Sequence, residues 1–577
     1  MQPLNISKYL PLVETLSTYK KDYAKRDLVA SLTVAVIAIP QSMAYAIIAG
    51  VNPVYGLYTA IISTILSSAF GSSNHLIAGP TNAISLLIAS SMRNFMGLDN
   101  AYEMIFLMTF MVGIIQILFG VIKLGKVINY VSHSVIVGFS AGAGILIAMG
   151  QLNQLMGISI ENSAQMATLD KIFYVITHLG ETNIYSLLLG LLTVAIIIVC
   201  KRINKNIPGS LMGIIIPIAL ILLFSLDKMG VKLTGNIPSS LPPFKMLHFD
   251  WISMKNVFNG SLAIAIIGLV EAISISKSIA GTSRQKTDAN QEFIGQGIAN
   301  AVSSFFQCFA GSGSFTRSAI NYFTGAATRL SGIMSGVIIA VILLVLAPYA
   351  RYIPMPCLAG VIMVIAYNMV NKKEMEKVYK IGKSDSIVMW ITLCATVLMP
   401  DLDWAIYLGI AISIILYLHD TNKVPIKILV PSRAEDLRFI EREIQYVKDK
   451  VEILIIQLEG NLYFGSAYDL EKKLQTLVGK SEVFILRMKT VAMIDMTSLD
   501  SLKRFIRDIK ETGGEVILCG IRSGLNGMLV NSGLSADIGP ENIFLSEDEV
   551  FASSIKALER AHKIIAGGHQ KELINGR

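Results

Sequence analysis

Long apolar runs broken by short polar stretches fill the first three quarters of the chain. Residues 28–49, 105–122, 184–199, 213–226 and 332–346 meet or approach the ~20 apolar residues a helix needs to cross about 30 Å of hydrocarbon. Further spans are predicted at 54–70, 132–149, 261–280, 291–309, 354–369, 386–399 and 404–418. Another begins near Thr81, the next ends near Lys123, and a late one begins near Phe315. The total is about fourteen. This pattern stops near His419, and from Asp420 charges alternate with β-branched runs as in a soluble α/β protein. Strands are predicted at 451–459, 483–488 and 516–519, with amphipathic helices at 467–478, 497–512 and 523–532. The expected division is a leading segment 1–27, a membrane domain 28–419, a linker 420–437, an α/β domain 438–565 and a tail 566–577.

Composition sharpens this picture. Of 577 residues, 53% are hydrophobic and only 16% charged, against about a quarter charged in soluble domains. Positive clusters fall at residues 20–26, at Lys123 and Lys126, at Lys201, Arg202 and Lys205, at Arg284 and Lys286, and at Lys372, Lys373 and Lys377. An even number of crossings separates each cluster from the next, so all of them, and both termini, are expected on the cytoplasmic side. The net charge of +8 is therefore read as topology, with no nucleic-acid partner. The first apolar run is too long for a signal h-region and is expected to be retained. Five scattered cysteines show neither metal nor disulfide spacing. No P-loop or nucleotide fingerprint is present, which argues against ATP-driven transport. With no nucleophile–base or metal constellation, no enzyme activity and no cofactor are expected.

Two spans are anomalous. Residues 75–88 (HLIAGPTNAISLLI) open with Gly79 and Pro80, then Thr81 and Asn82; residues 311–323 (GSGSFTRSAINYF) open with glycines and carry Arg317 at membrane depth. Gly-rich backbone in contact with lipid would leave polar groups unsatisfied. Each begins roughly 40 residues after a polar position in an earlier span, Gln41 and Glu271. Interrupted segments at matching places in two halves mark inverted-repeat transporters, whose half-helix N-termini at mid-membrane favour anions. A guanidinium such as that of Arg317 cannot shed its charge, so it requires an anion, a carboxylate or water. Glu271, in GLVEAISISK, is costly there unless protonated or paired, and is expected to carry a proton, pairing with Arg317 when the site is empty. Ser274 and Lys277 follow one and two turns on, Lys277 snorkelling. Pro40 precedes Gln41 and Tyr45, which lie one turn apart and can line a polar cavity. The small residues of 138–150 suit close helix packing.

Residues 41–58 (QSMAYAIIAGVNPVYGLY), after Pro40, resemble the signature of the SulP or sulfate-permease family (solute-carrier-26 type), and the regions of Gly79–Thr81 and 312–321 resemble its third and tenth half-helices. The resemblance implies an α-helical polytopic membrane protein of two inverted seven-span repeats, divided into core and gate domains, followed by a cytosolic α/β STAS domain. It implies a substrate site of Gln41, Tyr45, Thr81, Ser314, Thr316 and Arg317, with Glu271 as coupling acid and no metal. It also implies elevator-like alternating access and a homodimer contacting through the STAS domains. Members that use sodium tend to differ around Glu271 and Arg317, so their presence here favours protons or exchange. In related anti-anti-sigma factors a phosphorylated hydroxyl follows an aspartate at a helix start; Thr497 after Asp495 occupies that place, although the favoured reading is that both residues simply cap the helix.

The expectation is therefore a secondary transporter of sulfate, bicarbonate or a dicarboxylate, by proton symport or anion exchange. Short loops suggest a multi-pass protein of the bacterial inner membrane. The alternatives are a sodium-coupled bicarbonate symporter, a passive anion channel, a nucleobase transporter sharing the fold, and a membrane-anchored signalling protein. A nucleobase site normally needs carboxylates for ring N–H groups, and a signalling role would leave the buried polar residues unexplained.

Overall fold

The computed structural model describes residues 10–575 except 99, 126–131, 161–165, 167, 204–207, 236–237, 434–435, 448 and 550. Lys126, Lys205 and Glu435, which figure in the expected clusters and linker, lie outside the described residues. The chain separates into two units, Met1–Ser413 and Ile414–Arg577.

The first unit is helical. A short helix α1 (Pro11–Ser17) leads into α2 (Lys21–Ile48), α3 (Pro53–Phe70), the two-residue strand β1 (Ala78–Gly79), α4 (Asn82–Met92), α5 (Ala101–Val121) and α6 (His133–Gly150). Then come α7 (Leu152–Met156), α8 (Thr168–Thr177), α9 (Ile184–Ile203) and α10 (Gly209–Phe224). The second half runs α11 (Trp251–Ser283), α12 (Ala289–Ser303), β2 (Ser312–Gly313), α13 (Phe315–Phe323), α14 (Leu330–Ala350), α15 (Met355–Met369), α16 (Lys372–Ile381), α17 (Lys383–Leu398) and α18 (Leu402–Asp420). Among the described residues, eight helices are long and apolar enough to cross a membrane. The exposed side chains of α9 and α10, including Leu188, Leu191, Ile215, Leu222 and Leu223, are large and apolar, as a hydrocarbon solvent requires. Every segment expected to span is helical. The amphipathic α16, by contrast, occupies a stretch read only as a positive cluster.

Close approach of the helices follows from small residues. A Cβ on Gly138 would sit 2.3 Å from the Met389 carbonyl oxygen, and one on Gly113 would sit 2.3 Å from the Ala301 nitrogen. At the face of the bundle where α2 begins, buried polar groups join the two halves. Asp27 accepts from Ala327 N at 2.6 Å, Thr328 N at 3.0 Å and the Thr328 hydroxyl at 2.6 Å. Arg329 donates to the Gly71 carbonyl at 2.5 Å, while Glu292 accepts from Ser72 N and Ser73 N. At the opposite, far face, Arg93 donates to the Pro400 carbonyl at 2.6 Å and the Ser90 hydroxyl accepts from Leu402 N at 3.0 Å.

The second unit is a six-stranded sheet of order β4-β3-β5-β6-β7-β8. Its strands are β3 (Ile426–Arg433), β4 (Asp436–Glu443), β5 (Val451–Leu462), β6 (Ser481–Ile494), β7 (Glu515–Ile521) and β8 (Ile543–Leu545). The last four run parallel and β3 is antiparallel to both its neighbours. Parallel strands are covered on both faces, hence the continuous apolar runs. Leu454, Ile456, Phe484 and Leu486 meet Leu470 of α19 (Phe464–Gln475), Phe505 of α20 (Met496–Glu511) and Leu525 of α21 (Ser523–Asn531). Ile455, Ile485 and Ile517 point the other way, toward Ala557 and Ala561 of the final helix, Ala552–Asn575. Strand β3 and the first two residues of β4 fall where linker was expected, and the rest of β4 falls in the expected α/β domain; alternation over Ile426–Arg433 was masked by Pro431 and the flanking charges.

Candidate functional site

Two interrupted segments meet at the centre of the helical unit. β1 and β2 pair antiparallel, Ala78 opposite Gly313 and Gly79 opposite Ser312, so that α4 and α13 start from neighbouring points. Buried side chains satisfy the backbone of these extended stretches, as the membrane interior demands. Ile77 N donates to the Ser318 hydroxyl at 2.9 Å, and Ser314 N to the Ile77 carbonyl at 2.9 Å. The Thr64 hydroxyl donates to the Ala78 carbonyl at 2.7 Å, and the Asn321 amide to the His75 carbonyl at 3.2 Å.

Arg317 lies in the first turn of α13 and is fully buried. Its Nη2 donates to the Pro80 carbonyl at 2.6 Å, across the junction with the other half-helix. Its Nε and Nη1 have no hydrogen-bond partner among the described residues. Such open, desolvated donors are costly unless a ligand accepts from them. Gly79 makes the approach feasible: its φ of +138° suits glycine, and a Cβ there would stand 2.7 Å from Nη1. Ser314 caps α13, its hydroxyl accepting from Arg317 N at 3.5 Å. Thr81, the N-cap of α4, makes no capping bond; its hydroxyl donates to Glu271 Oε2 at 3.3 Å.

Glu271 and Arg317 form no ion pair within 4 Å, so in this state the acid turns to Thr81 while the guanidinium is held by Pro80. Tyr45 is buried within electrostatic reach of both charges, and the nearby Gln41 carries a buried Oε1 without a partner among the described residues. Thr316 is exposed beside Phe315, itself 61% exposed, so this flank of α13 is open. The structure therefore gathers Tyr45, Thr81, Glu271, Ser314 and Arg317, while Thr316 looks outward from the same helix turn. Ser274 and Lys277 are exposed further along α11.

Sequence reasoning missed the residues that hold this junction. Asn300 donates to Gln116 Oε1 at 2.9 Å and to the Gly311 carbonyl at 3.1 Å, and its own oxygen accepts from Gly311 N at 2.9 Å. The Ser312 hydroxyl donates to the Gly268 carbonyl at 2.7 Å, one turn before Glu271. A lone Gln in the apolar α5 was the available signal.

Among the described residues no cluster of three His, Cys, Asp or Glu could hold a metal. In the α/β unit, Asp495 caps α20 by accepting from Ser498 N at 2.9 Å, and its other oxygen accepts from Phe464 N at 2.6 Å. Thr497 is exposed on the first turn.

Two half-helices meeting at a buried guanidinium, in a chain that also carries an α/β unit, belong to a membrane transporter rather than an enzyme. The chain belongs to the sulfate permease family, whose model matches residues 25–392, and a STAS domain matches residues 446–550. YvdB of Bacillus subtilis (strain 168), whose name proposes a sulfate transporter, is 31% identical over 539 residues, covering 92% of this chain and 98% of its own. The fold is that of SLC26A9, with a TM-score of 0.86 at 20% identity over 99% of this chain and 95% of that one. The transmembrane domain of the cyanobacterial bicarbonate transporter BicA matches with a TM-score of 0.61 at 25% identity, covering 67% of this chain and 98% of its own.

Proposed function

We propose that this protein is a secondary transporter of a small oxyanion, sulfate or bicarbonate before a dicarboxylate, which binds between the N-termini of α4 and α13. One observation carries the reading: a fully buried Arg317 keeps two donor atoms open beside the half-helix starts. A guanidinium fork and helix N-termini both favour oxyanions. Ser314 and Thr81 would supply hydroxyls, Thr316 would take part only from the open flank of α13, and Gln41 and Tyr45 would form the facing wall. Glu271 would carry the coupled proton, because its contact with the Thr81 hydroxyl joins it to the substrate pocket. Residues 28–419 would form the transport body, moving as core against gate, and the face where α2 begins would be cytoplasmic by its positive charges. Both termini and the STAS domain would then lie on the cytoplasmic side of a bacterial inner membrane, in a homodimer. Thr497, exposed at a helix start, would be open to phosphorylation.

The test is uptake of labelled sulfate, bicarbonate and fumarate by proteoliposomes under an inward proton gradient, then a sodium gradient. Saturable, proton-driven uptake of one anion is expected. In Glu271→Gln, exchange should persist while the response to the proton gradient is lost. A full response in that variant would remove Glu271 from the coupling, sodium-driven uptake would replace the proton, and non-saturating flux would indicate a channel.

A further inference from the structure

At the far face of the helical unit, a cavity of about 450 Å³ lies between the end of α2, the outer half of α4, the α6–α7 turn, the end of α17 and helix α8. Its walls are largely aliphatic, but Arg93, Lys171, Asp170 and Gln151 also line it. Both cations face this one cavity, and burial, then the charge of Arg93, push the Lys171 pKa below its ordinary value. Among the described residues neither cation has a carboxylate within 4 Å, including the exposed Asp170. The bond described for Arg93 runs from one Nη to the Pro400 carbonyl, a neutral acceptor. Gln151 is 8% exposed and its Oε1 has no partner among the described residues. Two adjacent cations in a partly desolvated, apolar-walled space repel each other and raise a positive potential there. An amide that can turn to offer its N–H stands alongside.

We infer that this cavity is a second anion site, taking a small inorganic oxyanion between Arg93 and Lys171 with the Gln151 amide as a further donor. The inference rests on the anion-transport reading for its biological sense, although its geometry is independent of Arg317. Ser90 and Arg93 sit on the outer turns of the same half-helix whose first residue adjoins Thr81. An anion here lies beside the Arg93–Pro400 and Ser90–Leu402 bonds. Binding relieves the repulsion between the cations and offers Arg93 a charged acceptor in competition with the Pro400 carbonyl.

The test is equilibrium binding of labelled sulfate, and in parallel bicarbonate, to the purified full chain, read as sites per chain. Two sites are expected in the wild type, one in Arg317→Ala, one in Arg93→Gln/Lys171→Gln, and none in the triple variant. Lys171→Arg, which keeps the charge, should retain both sites and serves as the folding control. A single wild-type site that survives Arg317→Ala and is lost in Arg93→Gln/Lys171→Gln would sink the central reading and leave this one standing. A stoichiometry in Arg93→Gln/Lys171→Gln equal to that of the wild type, for both anions, overturns the proposal.

Discussion

Two buried arginines, one in each unit, meet the same electrostatic problem in opposite ways. Arg487 on β6 is 6% exposed; it donates to Gln457 Oε1 and, at 3.2 Å, to the Ser554 hydroxyl, and it lies 5.0 Å from the centroid of the Phe551 ring. Arg317 is fully buried, but only its Nη2 is engaged, by the Pro80 carbonyl. A saturated buried guanidinium fastens its fold together. One held open beside two helix N-termini keeps capacity for something that comes and goes, at a standing cost in stability. On the proposed function, the contrast separates a charge that fastens a fold from one kept open for a ligand.

Removing each arginine should separate them most widely. Arg317→Ala is expected to lower uptake about 100-fold or more, since several charge-assisted bonds to the anion disappear. Hydrogen exchange of α13 should stay close to wild type, because the change strands only the Pro80 carbonyl. Arg487→Ala should leave uptake within a few-fold and destabilise the α/β unit by about 2–4 kcal/mol, through the stranded Gln457 and Ser554 and the void beneath Phe551. Faster amide exchange along β5 and β6 of the full chain would show it. If Arg317→Ala instead unfolded the helical unit, the open-donor account would fail.

A smaller effect sharpens the same contrast from the neighbouring backbone. Gly79→Ala puts a Cβ 2.7 Å from Arg317 Nη1, at a φ of +138°. We expect the guanidinium to be displaced and uptake to drop about 10-fold, because a misplacement on the ångström scale is enough to cost that much. Retention of full uptake would mean that the arginine can move freely. Smallest of all is the exposed pair of Glu471 and Arg504, 2.6 Å apart. Its hydrogen bond to Arg504 holds the Glu471 pKa below its ordinary value. A depressed carboxylate stabilises above its unfolded-state pKa and loses that contribution as pH falls through the folded-state value. Glu471→Gln should therefore lower the unfolding midpoint of the α/β unit by no more than ~3 °C at neutral pH, with the difference vanishing in acid. A pH-independent difference would show that the ion pair is not its source.

Much of the architecture was legible because apolar runs of membrane length and buried parallel strands are strong periodic signals. Glycine and proline in GPT and GSGSFTR exposed the half-helices, and a charge where none is tolerated exposed Arg317 and Glu271. The β3–β4 hairpin was missed because the edge strand β4 is crowded with charges and Pro431 interrupts the apolar run of β3. Also illegible was what each polar group chose as partner. That Arg317 takes the Pro80 carbonyl rather than Glu271, and that Asn300 and Gln116 clamp Gly311, depends on the crossing of segments more than 180 residues apart in sequence. The cation pair of Arg93 and Lys171 was hidden for the same reason: each alone reads as an interfacial anchor.

The most direct test of the central claim is counterflow of labelled sulfate and bicarbonate in proteoliposomes, with wild type, Arg317→Ala and Arg487→Ala measured side by side at equal reconstituted protein. Exchange should be lost in Arg317→Ala and preserved in Arg487→Ala. Exchange at the wild-type rate in Arg317→Ala would contradict the account, because the open guanidinium would then not be where the anion binds.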